Sequence, residues 1–65
     1  MNYALRNKEN LKFAIVEGGE GIISKDATIY SATKFFNKNL AIIWKNELGQ
    51  DWSIVEIKLS VGEEV

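Results

Sequence analysis

The chain has 65 residues and a formal net charge of −1, and it contains no Cys, no His and no Pro. Without Cys it can form neither a disulfide nor a thiolate-bound zinc site, and without His it lacks the commonest general acid–base. An apolar fraction of 46% and a charged fraction of 26% are typical of a folded domain and exclude a disordered one.

The same figures bound the organisation of the chain. We expect one domain over residues 1–65, with residues 62–65 forming a frayed acidic tail. The longest apolar run, residues 40–44, is far shorter than a bilayer-spanning helix, and the first residues do not resemble a signal peptide. We therefore expect a cytoplasmic protein with no membrane association.

Two strands are predicted at the start of the chain. Residues 3–6 alternate between apolar and less apolar side chains, with Tyr3 and Leu5 on one face. Residues 11–17 alternate again, and the polar residues 7–10 between the two segments are typical of a turn. Together they predict a β-hairpin.

A glycine-rich segment at residues 18–21 breaks this pattern. A phosphate-binding loop would need a Lys-Ser/Thr pair or a helix after its last Gly, and Glu20 would repel phosphate. The segment is therefore interpreted as a flexible turn. The β-branched and aromatic residues 27–30 then predict a third, short strand.

A helix is predicted over residues 32–48. Ser31 is a suitable N-cap, and Gly49 is a suitable residue just beyond the C-terminus. Apolar residues recur at helical spacing and predict the face that packs on the sheet. These are Ala32, Phe36, Leu40, Ile43, Trp44 and Leu48.

The last predicted strand covers residues 52–61. Its even alternation places Val55, Ile57, Leu59 and Val61 on one face, which we expect to contact the helix; Trp52 and Ile54 would then lie on the other face. The element order β-β-β-α-β predicts a small two-layer α+β domain. Its sheet would have three or four strands, antiparallel or mixed, with one amphipathic helix on one face.

Three segments carry a resemblance to a known group. The chain opens with YALRN at residues 3–7, has ATIYS at residues 27–31, and has WSIVEI at residues 52–57. This combination resembles small uncharacterised proteins of bacteriophages and prophages. They share a Tyr-x-Ile-Lys-Asn-like first strand, an Ala-x-Ile-Tyr-Ser-like step before the helix and a Trp-x-Ile-Val-Glu-Ile last strand. The resemblance implies a phage or prophage setting and no chemistry.

Residues suited to catalysis are scarce. The carboxylates are nearly all beside turns or other polar residues, and no Ser has a His partner. Because no set of nucleophile, base and orienting group can be assembled, we expect no enzymatic activity, no cofactor and no metal site.

A second apolar stripe on the predicted helix is the strongest functional signal. Phe35 and Ile42 lie seven residues apart, away from the predicted core face, and Asn39 and Asn46 alternate with them. One helix on one sheet buries a single face, so a second stripe predicts contact with another helix. The alternative is that a curled sheet buries Phe35 and leaves Ile42 as an isolated exposed residue.

A basic stripe supports a different function. Lys34, Lys38 and Lys45 would lie close together on the predicted helix, where they could contact the phosphates of a nucleic acid or an acidic partner. The ordinary solvated face of an amphipathic helix explains the same pattern and is favoured.

These observations together predict a non-enzymatic protein-binding accessory protein that forms homo-oligomers. Its further partner would be a host or phage protein. The alternative is a small nucleic-acid-binding module that uses the three lysines.

Overall fold

The computed structural model describes residues 2–58 of the chain as four antiparallel strands and one helix. The elements are β1 (Asn2–Asn7), β2 (Phe13–Glu17), β3 (Gly21–Ala27), α1 (Lys38–Leu48) and β4 (Trp52–Ile57). The strands form one sheet in the order β3-β2-β1-β4, and each neighbouring pair is antiparallel. The predicted two-layer α+β domain is therefore confirmed. No helix in the described residues is long and apolar enough to cross a membrane.

The turn between β1 and β2 is organised by the side chain of Asn7. Its Oδ1 accepts hydrogen bonds from the backbone N–H of Glu9 at 2.8 Å and of Asn10 at 3.2 Å. These bonds form an Asx turn that holds Leu11 at a positive φ of 62° and leaves it exposed. Because this conformation is not extended, β2 begins at Phe13, two residues later than predicted.

The strands β1 and β2 separate soon after this turn. They are paired at Arg6 and Phe13, and further along a segment from the α1 connection lies between them. Tyr3 and Phe35 exchange two backbone hydrogen bonds, of 2.8 and 2.7 Å. The N–H of Thr33 donates to the carbonyl of Ala14 at 3.2 Å. Residues 33–35 therefore bridge the two strands within the sheet.

The side chain of Thr33 completes this bridge. Its Oγ1 accepts a hydrogen bond from the N–H of Val16 at 2.8 Å and donates one to the carbonyl of Val16 at 3.1 Å. A hydroxyl can do both at once. It thus replaces the backbone donor and acceptor that a neighbouring strand would offer Val16.

This bridge explains why the helix starts late. The sequence predicts a helix from residue 32, with Ser31 as the N-cap. This start is wrong, because the segment before residue 38 is extended where it pairs with the sheet. The N-cap is instead Asn37, whose side chain accepts from the N–H of Asn39 at 2.7 Å. The predicted end is confirmed. The N–H of Gly49, at φ 110°, donates to the carbonyl of Lys45.

The third strand also differs from the prediction. It spans Gly21–Ala27, directly after the turn. The prediction of a strand at residues 27–30 is therefore wrong. Thr28 instead starts a turn, and its carbonyl accepts from the N–H groups of Ser31 and Ala32. Pairing with β2 explains the position, because the strand begins opposite Glu17 and ends opposite Phe13.

The helix packs on one face of the sheet and forms the main core. The buried residues of this core are Leu5, Ala14, Val16, Phe35, Ala41 and Trp52. A second cluster lies on the opposite face and is partly covered by the connection before α1. Its buried residues are Ala4, Phe13, Ala27 and Ala32. The sheet is therefore apolar on both faces.

The orientation of β4 is the reverse of the prediction. Trp52 and Ile54 belong to the helix-side core, whereas Val55 and Ile57 pack against the second cluster. The cause is the register with β1, in which Ile54 lies opposite Leu5, because residues directly opposite each other share a face. Residues 59 and 61 of the same prediction lie outside the described residues.

Replacing Thr33 tests the bridge. We expect Thr33→Ala to lower the free energy of unfolding by about 1–3 kcal/mol, since it removes both hydrogen-bond partners of Val16. Thr33→Ser keeps the hydroxyl and should cost clearly less. Urea unfolding followed by circular dichroism measures both variants. Equal losses in the two would show that the hydroxyl bonds do not stabilise the bridge.

The backbone of Leu11 allows a stabilising substitution. A residue with a side chain is strained at φ 62°, whereas Gly is not, so Leu11→Gly should raise the free energy of unfolding by about 0.5–1 kcal/mol. The neighbouring exposed residue supplies the control. Lys12→Gly should not stabilise the protein, because the positive φ is at position 11. A lower stability of Leu11→Gly in the same urea titration would contradict the strain.

Candidate protein-interaction surface

The side of α1 that faces away from the sheet is mostly apolar. We define the outer helix surface as six exposed residues, five of them in α1 and one, Phe36, two residues before it. The six are Phe36, Asn39, Leu40, Ile42, Ile43 and Asn46. Phe36 is 84% exposed and Ile43 is 58% exposed. Four of the six are large hydrophobic residues, which is unusual for the solvent side of a surface helix. The exposed Glu47 lies on the same side, next to Leu40 around the helix.

The helix geometry explains this arrangement. Ala41 is fully buried, and Trp44 and Leu48 are partly buried against the same core. At about 100° per residue these three point into the sheet, and Asn39 and Asn46 then lie near the opposite side of the helix. The helix therefore has an inward apolar face and a separate outward one.

The structure places the four predicted interface residues in two different environments. Asn39, Ile42 and Asn46 are exposed and lie together on the outer helix surface. Phe35 is only 6% exposed, because it lies in the extended bridge and belongs to the helix-side core. The expectation that Phe35 lies on this surface is therefore wrong.

Three residues predicted as core lie on the surface instead. Phe36, Leu40 and Ile43 are exposed, and the predicted packing face of the helix is wrong at these positions. The error arises because the prediction applies the helical repeat to residues 32–37, which precede the helix. In the extended segment, neighbouring side chains alternate, so that Phe35 points inward and Phe36 outward. Asn37, a favourable N-cap two residues before Asn39, is the sequence signal that indicates the later start.

The predicted basic stripe is divided in the same way. Lys34 precedes α1, whereas Lys38 and Lys45 lie within it. The Nζ of Lys34 donates to the carbonyl oxygens of Ile29 at 2.7 Å and Ala32 at 2.9 Å. This ammonium group therefore stabilises the connection before the helix and does not belong to a continuous basic stripe.

Other polar groups give little indication of a chemical site. Within residues 2–58, no group of three or more Asp or Glu side chains is arranged to hold a metal ion. The Nε of Arg6 is buried and has no hydrogen-bond partner in that part of the chain. Arg6 itself is only half-buried. The outer helix surface is thus the most distinctive surface feature.

Comparisons with protein-family models, with curated proteins and with solved structures found no match for this chain. The surface must therefore be interpreted from its own geometry.

Replacing two adjacent phenylalanines tests the assignment of core and surface. We expect Phe35→Ala to cost about 3–5 kcal/mol, enough to unfold most of so small a domain, because it empties the core beside Tyr3. Phe36→Ala should change the free energy of unfolding by no more than about 0.5 kcal/mol, since its side chain is exposed. Urea unfolding measures both. The reverse order of losses would show that the helix includes residues 32–37.

Proposed function

We propose that this protein is a non-enzymatic binding module that associates with a second copy of itself through the outer helix surface. The observation that carries the proposal is the group of large exposed hydrophobic side chains on α1 and just before it. An apolar patch on the solvent side of a helix is characteristic of a protein–protein contact. Such a contact would remove Ile42 and Ile43 from water at the centre of the interface.

The two asparagines favour a second copy as the partner. Asn39 and Asn46 are seven residues apart and lie at the middle of the outer helix surface. In parallel pairs of identical helices, equivalent Asn side chains hydrogen-bond to each other, and this selects a dimer with one alignment. An unrelated apolar partner would leave both amides buried without a partner, which is costly.

Charges beside the surface agree with this arrangement. At about 100° per residue, Lys45 lies on the flank beside Ile42, and Glu47 lies on the opposite flank, beside Leu40. In a parallel two-fold pair, each flank faces the opposite flank of the other helix. Lys45 of one copy would then lie near Glu47 of the second copy, and the dimer would gain two favourable charge pairs.

The alternative of a nucleic-acid-binding module has less support. This alternative requires three lysines on one face of the helix. Lys34, however, lies outside the helix and donates to backbone carbonyls. Two remaining lysines on a protein of net charge −1 offer few phosphate contacts. The resemblance to phage proteins adds a host or phage protein as a further partner of the dimer.

A charge placed on the outer helix surface should disrupt self-association. We expect Ile43→Glu to raise the dimer dissociation constant at least about tenfold, because it buries an unpaired charge at the contact. Ile42→Glu should act in the same direction. The measurement is sedimentation velocity over a range of protein concentrations.

A matched control is available on β3. Ile23 is 52% exposed, close to the 58% of Ile43, but it lies on a strand remote from the outer helix surface. Ile23→Glu should leave the dissociation constant unchanged. A monomer at every concentration for the unaltered chain, or equal effects of Ile23→Glu and Ile43→Glu, would overturn the proposal.

A further inference from the structure

The two edges of the sheet differ in how open they are to another strand. The β3 edge has two register shifts in its pairing with β2, and Ser24 and Asp26 hydrogen-bond to each other along it. Bulges and charges of this kind protect an edge from added strands. In β4, all six residues from Trp52 to Ile57 pair with β1 in one uninterrupted register. This edge is regular and contains a single charged residue, Glu56.

The hydrogen-bond register shows which backbone groups β4 presents. The N–H of Lys8 donates to the carbonyl of Asp51, just beyond the paired residues of the two strands. Bonded residues alternate along an antiparallel ladder, so Ser53, Val55 and Ile57 face β1. The N–H and C=O groups of Ile54 and Glu56 therefore point away from the sheet, where an extended segment can pair with them.

The helix adds positive charge above this edge. Residues 33–35 and β4 both run antiparallel to β1, so they are parallel to each other and α1 is the crossover between them. Nearly all such crossovers are right-handed. A right-handed crossover with Ala41 facing the sheet would turn Lys38 and Lys45 toward the β4 edge. The two lysines are about 10.5 Å apart along the helix and on nearly the same side of it.

We propose that the β4 edge and the overhanging side of α1 form a binding groove for an extended acidic peptide, which adds to the sheet as a fifth strand. Its backbone pairs with Ile54 and Glu56. Acidic side chains at alternate positions lie on the helix side, near Lys38 and Lys45. Apolar side chains at the other positions extend the face that contains the half-buried Val55 and Ile57. This groove contains none of the six residues of the outer helix surface, but it uses Lys45, which flanks that surface.

Synthetic peptides test the proposal directly. The probe is a fluorescein-labelled octapeptide in which Glu and Val alternate, and the matched peptide replaces each Glu with Lys. Fluorescence anisotropy at low salt should show binding of the Glu peptide and about tenfold weaker binding of the Lys peptide. The double variant Lys38→Glu/Lys45→Glu should reverse this preference. Equal affinity for the two peptides, or no binding of either, would overturn the proposal.

Substitutions at Glu56 separate strand addition from simple charge attraction. Glu56→Pro removes an outward N–H without breaking the ladder with β1, and edge strands tolerate Pro at such positions. It should weaken peptide binding at least about tenfold, whereas Glu56→Ala should bind the Glu peptide as well or better. Circular dichroism verifies that both variants fold.

Measuring self-association of the same variants distinguishes the peptide groove from the proposed dimer contact. If Glu56→Pro dissociates the dimer and leaves peptide binding unchanged, the edge is a self-interface and the peptide proposal is wrong. If Ile43→Glu dissociates the dimer while peptide binding persists, the groove functions independently of the outer helix surface. The failure of one proposal is therefore distinguishable from the failure of the other.

Discussion

The pair of hydrogen bonds between Thr33 and Val16 is the constraint on which the rest of the fold depends. At 2.8 and 3.1 Å, the threonine hydroxyl bonds to both backbone groups of Val16, which pairs with β3 on one side but has no β1 residue on the other. A buried backbone group without a partner costs free energy, so the separation of β1 and β2 is tolerable only while this bridge is present. The reciprocal bonds between Tyr3 and Phe35 close the other side of the gap.

The bridge also determines what the helix exposes. By keeping the chain extended through residue 35, it places Phe35 in the core and postpones the helix to Lys38. The helix is then 11 residues long, and its inward side is formed around Ala41. The large residues Leu40 and Ile43, which a longer helix was expected to bury, face solvent. The bridge thus places Phe36 on the outer helix surface, whereas the orientation of Ala41 toward the sheet leaves Leu40 and Ile43 there.

Local patterns predict much of this fold. The hairpin, the alternation of β1 and the end of the helix at Gly49 follow from neighbouring residues, and each agrees with the structure. Register and long-range bonds are not local. The faces of β4 depend on which of its residues lies opposite Leu5, and the helix start depends on Thr33 meeting Val16, 17 residues away in the chain. The sequence shows that the helical region has more apolar residues than one face can bury. Which of them are in the core and which are exposed depends on the contact between Thr33 and Val16.

The conformation of residues 32–37 in solution tests this account most directly, and backbone chemical shifts with amide proton exchange measure it. The account predicts extended shifts at Thr33 and Phe35, slow exchange of the Val16 and Phe35 amides, and a nuclear Overhauser contact between Tyr3 and Phe35. Helical shifts beginning at Ala32, with a fast-exchanging Val16 amide, would contradict it. Phe36 would then return to the core, and the outer helix surface would lose its aromatic residue.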